Sequence, residues 1–154
     1  MTGKERIEGL TRTWYGFTVL AAAAGVAQVA LWPFSAGLLF SPLKLLLGLV
    51  GSAFVLVFAV GAGLVGAAAG LCLVYLVGRA LLGRSGLVRM ALAVLTPLLA
   101  VLSGLSALRS LWAGVSHLAL APVLSACVAG MAAALYVRSF RVLVDPAVRG
   151  YVRG

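Results

Sequence analysis

Between Leu45 and Val77 the chain runs thirty-three residues without a charged side chain, punctuated by Gly48, Gly51, Gly61, Gly63, Gly66 and Gly70. An apolar run of eighteen or more residues reads as a transmembrane helix, because inside lipid only a helix satisfies its own backbone hydrogen bonds within one segment. Thirty-three helical residues measure roughly 50 Å against a hydrocarbon core of about 30 Å, so the run has surplus length. Either the helix is long and tilted, with its first turns near Gly48 and Gly51 in the interface, or it breaks at Gly61 and Gly63 into a hairpin.

Charge separates these two. With one crossing, Lys4, Arg6, Arg12, Arg79, Arg84, Arg89, Arg138, Arg141, Arg149 and Arg153 all fall on one side, ten of the twelve basic residues, with Lys44 and Arg109 opposite. A crossing hairpin inverts the second half and leaves only Lys4, Arg6, Arg12 and Arg109 on the starting side. The positive-inside rule favours the single crossing. A shallow hairpin that dips and returns twice without spanning preserves sidedness too and stays open as an alternative.

The rest of the chain follows the same logic. It is 64% hydrophobic and 10% charged, with mean hydropathy +1.18, whereas a soluble domain carries about 25% charged residues. An all-α integral membrane protein of four transmembrane helices is expected, at about 14–32, 45–77, 90–108 and 118–137. Residues 1–154 form one membrane domain, with an amphipathic interfacial helix over 1–13, the bundle over 14–137 and a basic interfacial tail over 138–154. Trp14 and Trp32 stand eighteen residues apart, suited to an aromatic belt at each interface. Ala36 to Phe40, bracketed by Pro33 and Pro42, reads as an interfacial connector, and Arg109 to His117 as a short connector. Pro97 and Pro122 predict kinks, with Thr96 re-satisfying a freed backbone group.

The leader has its own signals. Thr2 and Glu5 have capping-box spacing, and Glu8 and Arg12 an i,i+4 pairing. Glu5 and Glu8, with no small-x-small cleavage site after them, argue against a signal peptide. In the tail, Asp145 before Pro146 reads as an N-cap with proline at the first helical position.

Candidate chemistry is sparse. The three acidic residues, Glu5, Glu8 and Asp145, lie outside the spans, which removes the buried carboxylate that proton relays and cation transporters use. Cys72 and Cys127 lie in apolar runs and read as buried thiols. His117 reads as a loop histidine, a pH sensor being the sharper alternative. No catalytic, cofactor-binding or metal-ligating set is found, so an enzyme is not expected. Gln28, mid-span, is expected to act as polar glue between helices, a bond of roughly 0.6–2 kcal/mol.

Small residues recur on single faces: Ala59, Gly63, Gly66 and Gly70; then Ala93, Thr96, Ala100, Ser103 and Ala107; then Ala121, Ser125, Ala129 and Ala133. Such faces let backbones approach where lipid removes any hydrophobic drive between helices. The closest helix contact is expected between Ala59 and Gly70. Arg79, Arg84, Arg89, Arg138 and Arg141 are placed to meet anionic headgroups, at about 1 kcal/mol each. The expected function is non-enzymatic: an assembly, scaffold or accessory subunit packing against other membrane helices and anionic lipid, with both termini cytoplasmic and no nucleic-acid partner. A small channel or transporter for a neutral or hydrophobic solute, and a membrane-shaping hairpin, are the alternatives.

Overall fold

A computed structural model describes residues 2–31, 42–117 and 120–153. All its regular structure is helical: α1 Gly3–Leu31, α2 Pro42–Leu82, α3 Gly86–His117, α4 Leu120–Val144 and α5 Pro146–Arg153. Three segments, Val55–Leu82, Gly86–Ser116 and Leu120–Val144, are long and apolar enough to cross a membrane, which supports a multi-pass membrane protein. The expectations placed on Ala36 to Phe40, on Trp32 and on the side chains of Lys44 and His117 fall outside what is described.

The long apolar run does not break. α2 is one helix of 41 residues, about 60 Å at 1.5 Å per residue. Gly61 and Gly63 interrupt nothing, because each still carries the N–H and C=O that the helical ladder needs.

The other helices also outrun their apolar cores. Arg79 stands in the last turn of α2 and Arg89 in the first turns of α3, so the expected loop between them shrinks to Gly83–Ser85. Arg109 and Trp112 are helical too, which removes the expected connector. No breaker stops α3 before His117, and the Ser116 hydroxyl donates within the helix to the Trp112 carbonyl at 2.8 Å. Pro122 stands third in α4, in the first turn, where a missing N–H costs no helical bond.

The α2–α3 turn shows how a tight reversal is made. Ser85 N–H bonds Ala80 O at 3.0 Å and Arg84 N–H bonds Leu81 O at 3.2 Å, the Schellman pattern. The left-handed residue is Arg84, at φ 62°, where glycine is usual. Ser85 then caps α3, its Oγ accepting from Val88 N–H at 3.4 Å.

The helices are arranged laterally as α2, α1, α4, α3. α3 and α4 form the most extensive pair, α1 packs on α2 and α4, and α2 touches α3 only sparsely. Consecutive α2 and α3 therefore flank a cleft.

The α1–α2 contact is antiparallel and set by glycines. A Cβ at Gly63 would lie 3.4 Å from Val26 Cγ2, at Gly70 2.8 Å from Thr18 Cγ2, and at Gly78 2.8 Å from Thr11 Cγ2, while one at Gly66 would meet nothing within 4 Å.

At the end where the α2–α3 turn lies, the chain ends close the bundle. Ile7, Leu81, Leu143 and Val148, one each from α1, α2, α4 and α5, form a buried cluster, with Ile7 and Val148 wholly inaccessible. The apolar residues of the spans are by contrast exposed, Phe58 at 77% and Val94 at 72%. The division is physical: mid-span residues have lipid as solvent, whereas residues level with the arginines would meet water, where burial contributes about 25 cal/mol per Å².

This end corrects two expectations. The first helix is unbroken from Gly3, and Ile7 and Leu10 are buried, so no separate interfacial helix covers residues 1–13. Of the tail 138–154, Arg138 to Val144 belong to α4, and α5 turns Val148 and Val152 into the protein. Both apolar stripes are occupied by each other and by α2. α5 comes close enough to α1 that a Cβ on Gly3 would lie 2.5 Å from the Ala147 carbonyl oxygen.

The caps are as spaced. Thr2 N–H bonds Glu5 Oε2 at 2.8 Å and Glu5 N–H bonds Thr2 Oγ1 at 3.3 Å. Glu8, however, pairs backwards with Lys4 at 3.8 Å rather than with Arg12. Asp145 Oδ1 accepts from Ala147 N–H at 2.9 Å, and its other oxygen pairs with Arg6.

The pair predicts a graded response. Its side chains are 37% and 23% exposed, so its loss is expected to fall between surface and buried values, about 1–2 kcal/mol. Asp145→Asn keeps the cap and loses only that. Asp145→Ala costs about 1 kcal/mol more. Thermal unfolding in detergent and tryptic cleavage at Arg149 measure both; equal losses for the two variants would show that the cap contributes nothing.

Candidate functional site: a cavity between the four long helices

Above the buried cluster lies a cavity of about 280 Å³ with walls from all four long helices: Leu10 and Trp14, Val74 and Val77, Leu92 and Thr96, Tyr136 and Ser139, among others. It is bordered by α2 and α3, the pair that scarcely touch, so its natural approach is from the side, out of the lipid.

Its polar groups are few and differ in state. Trp14 Nε1 donates to Ser139 Oγ at 2.9 Å, and Ser139 donates in turn to the Leu135 carbonyl at 2.7 Å. The Trp14 ring packs on Tyr136, centroids 5.0 Å apart, and edge-on to Phe17 at 5.8 Å. Trp14 thus ties α1 to α4 from inside, where an interfacial belt was expected. Its hydrogen bond is what turns it inward, since a buried indole N–H needs an acceptor.

Thr96 is 4% exposed and its Oγ1 has no hydrogen-bond partner. It does not re-satisfy a carbonyl freed by Pro97. A buried hydroxyl in this state costs about 1–3 kcal/mol.

The other candidates are placed as follows. Gly63, Gly66 and Ala59 face α1 along a groove with Thr18, Ala22 and Val26, Gly63 in contact and Gly66 clear of it. Among the described glycines of α2 the tightest approaches are Gly70 and Gly78, the latter outside the face inferred from the sequence. Ala93, Thr96, Ala100, Ser103 and Ala107 are at least partly covered, as are Ala121, Ser125, Ala129 and Ala133, along the α3–α4 pair. Gln28 lines an open pocket with Arg109, Ser110 and Ser125, which places it with a cation and hydroxyls at the end opposite the buried cluster.

Among the arginines, Arg79, Arg84, Arg138 and Arg141 are exposed. Arg84 lies over the Tyr151 ring at 5.3 Å, and the Tyr151 hydroxyl bonds the Leu82 carbonyl at 3.0 Å. Arg89 donates to the Leu143 carbonyl at 3.2 Å and shares a surface pocket with Arg149 above Met90, Ala93, Val94 and Val144. That pocket pairs two guanidinium groups with an apolar wall. Cys72 and Cys127, expected to be buried, are exposed; an apolar run in a membrane helix faces lipid as readily as protein.

No pattern along the chain signals the cavity, because its walls come from residues that no spacing connects. Thr96 was visible only as one member of a small-residue stripe.

Fold and cavity together define a helical membrane protein of the multi-pass kind. No protein-family model, no curated protein and no solved structure matches the chain.

Proposed function

We propose that this chain is a non-enzymatic assembly or accessory subunit of a membrane complex, with four spans and both termini on the cytoplasmic side. α1 is the fourth span: Trp14 to Leu31 carries no charge. The ten basic residues that share a side are its cytoplasmic face, and Arg89 with Arg149 seats an anionic headgroup over their apolar wall.

One observation carries the reading. α2, the longest helix, packs mainly on α1 and leaves a flank with Phe58 at 77%, Val65 at 71% and Leu73 at 63% exposed. A helix held on one side presents a ready face to a partner. The small-residue faces serve contacts within the chain, so the partner meets α2 instead. The carboxylates support a non-catalytic role, since Glu5 and Asp145 cap helices and Glu8 pairs with Lys4.

Cys72 lies exposed on α2 and Cys127 exposed on α4, which makes the test direct. Bis-maleimide cross-linking in native membranes is expected to give a heavier adduct with Cys127→Ser and none with Cys72→Ser. A chain that gives no adduct from Cys72 and purifies as a monomer with no membrane protein attached would reject the proposal.

A further inference from the structure

We infer that the cavity between the four long helices is a binding site for a free, neutral, mostly hydrocarbon molecule carrying one hydrogen-bond-accepting oxygen, taken up sideways from the bilayer and held on the Thr96 hydroxyl.

Size, charge, access and depth each narrow the ligand. An apolar cavity of about 150 Å³ holds benzene, so about 280 Å³ admits roughly twice as many carbon atoms. No ionised side chain lines it, and an ion brought there would lose its hydration without a partner, so the ligand is neutral. Access runs between α2 and α3, which meet sparsely, while the Ile7, Leu81, Leu143 and Val148 cluster blocks the route from the arginine end.

Four side chains with a polar group stand in the wall, Trp14, Thr96, Tyr136 and Ser139. Ser139 and Trp14 are engaged with each other, whereas Thr96 lines the cavity with its Oγ1 unpartnered and inaccessible; threonine has two χ1 rotamers in a helix, and exchanging them offers that donor to an incoming oxygen. Thr96 is seven residues beyond Arg89, about 10 Å along the axis and so inside the hydrocarbon core, below its edge. Ester carbonyls of a phospholipid stay at the edge of that core. A free ketone or alcohol carries its oxygen below that edge, and a lipid chain does not.

The test uses the full chain in lipid nanodiscs with Trp32→Phe and Trp112→Phe, leaving Trp14 as the reporter in the cavity wall. The probes are 2-acetonaphthone, a neutral ketone, and 2-ethylnaphthalene, its counterpart without oxygen; protein-free nanodiscs correct for partitioning. Saturable quenching by the ketone is expected, weakened roughly three- to tenfold by Thr96→Val, the equivalent of one net hydrogen bond. The hydrocarbon is expected to bind Thr96→Val at least as well as the parent. Val77→Phe, which takes up cavity space without adding an indole, is expected to abolish both. Thr96→Val is also expected to melt higher than the parent without ligand, because the unpaired hydroxyl is gone, so a misfolded variant is recognised. Absence of saturable quenching, or a ketone affinity untouched by Thr96→Val, overturns the proposal. So does native mass spectrometry of protein taken from membranes, if it finds a phospholipid that Val77→Phe displaces.

Discussion

Ile7→Asp is expected to prevent the arginine end from closing, and Ile7→Ala to weaken it by about 2–5 kcal/mol. Ile7 is wholly inaccessible among Leu81, Leu143 and Val148, so truncation leaves a void bounded by three other helices. The void cannot refill easily. α5 is held by Asp145 and Tyr151, and Gly3 already touches Ala147. Aspartate adds an unpaired charge among aliphatic groups, several kcal/mol more, which is comparable to the whole stability of a small domain. Ile7→Val removes one methylene and should cost only about 0.5–1.5 kcal/mol. Thermal unfolding in detergent orders the three, and tryptic cleavage at Arg149 reports release of α5. If Ile7→Ala melted with the parent and α5 stayed protected, the cluster would not be what holds the chain ends.

The second large effect concerns the α1–α2 register. A Cβ at Gly70 or Gly78 would lie 2.8 Å from a threonine methyl. Those methyls are not free to turn, because Thr18 Oγ1 donates to the Trp14 carbonyl at 2.9 Å and Thr11 Oγ1 to the Ile7 carbonyl at 2.9 Å. Each threonine spends its hydroxyl on its own helix and turns its methyl to the neighbour. Overpacking of this kind costs about 1–3 kcal/mol for one site, so Gly70→Ala with Gly78→Ala should lose roughly 2–6 kcal/mol in melting experiments. Thr18→Ser removes the clashing methyl and should restore most of the Gly70→Ala loss. Gly66→Ala is the control: it meets nothing within 4 Å and should gain about 0.5–1 kcal/mol from helix propensity. Equal losses at Gly66 and Gly70 would refute the register.

That register marks how far spacing alone can be taken. The sequence pattern put Gly63, Gly66 and Gly70 on one face at steps of three and four. A helix face toward one neighbour is narrower, and the contacts fall at Gly63, Gly70 and Gly78, steps of seven and eight. Gly66 drops out because it lies to one side of the contact line, and Gly78 enters because α1 continues past it. Asp145–Pro146 and Thr2–Glu5 were legible as caps, since a cap depends on neighbours within four residues. The Arg6–Asp145 pair was not, because its partners are 139 residues apart. Arg84 in the left-handed position was hidden for a related reason: Gly83 and Gly86 flank it, and only the docking of α5 places Tyr151 against its guanidinium.

Solvent and elements are legible along the chain: apolar runs too long and too poor in charge for water read as helices in lipid, and charge placement groups ten basic residues at one end. Those consequences follow from hydrogen bonding and transfer energy along the chain, which need no knowledge of neighbours. The tertiary structure alone decided that the 33-residue run is part of one unbroken helix, that both chain ends lock together beneath it, and that a cavity remains above them with Thr96 unpaired. In lipid no hydrophobic drive selects which apolar face meets which. Shape does, through glycines and threonine methyls, and shape is a property of helices already side by side.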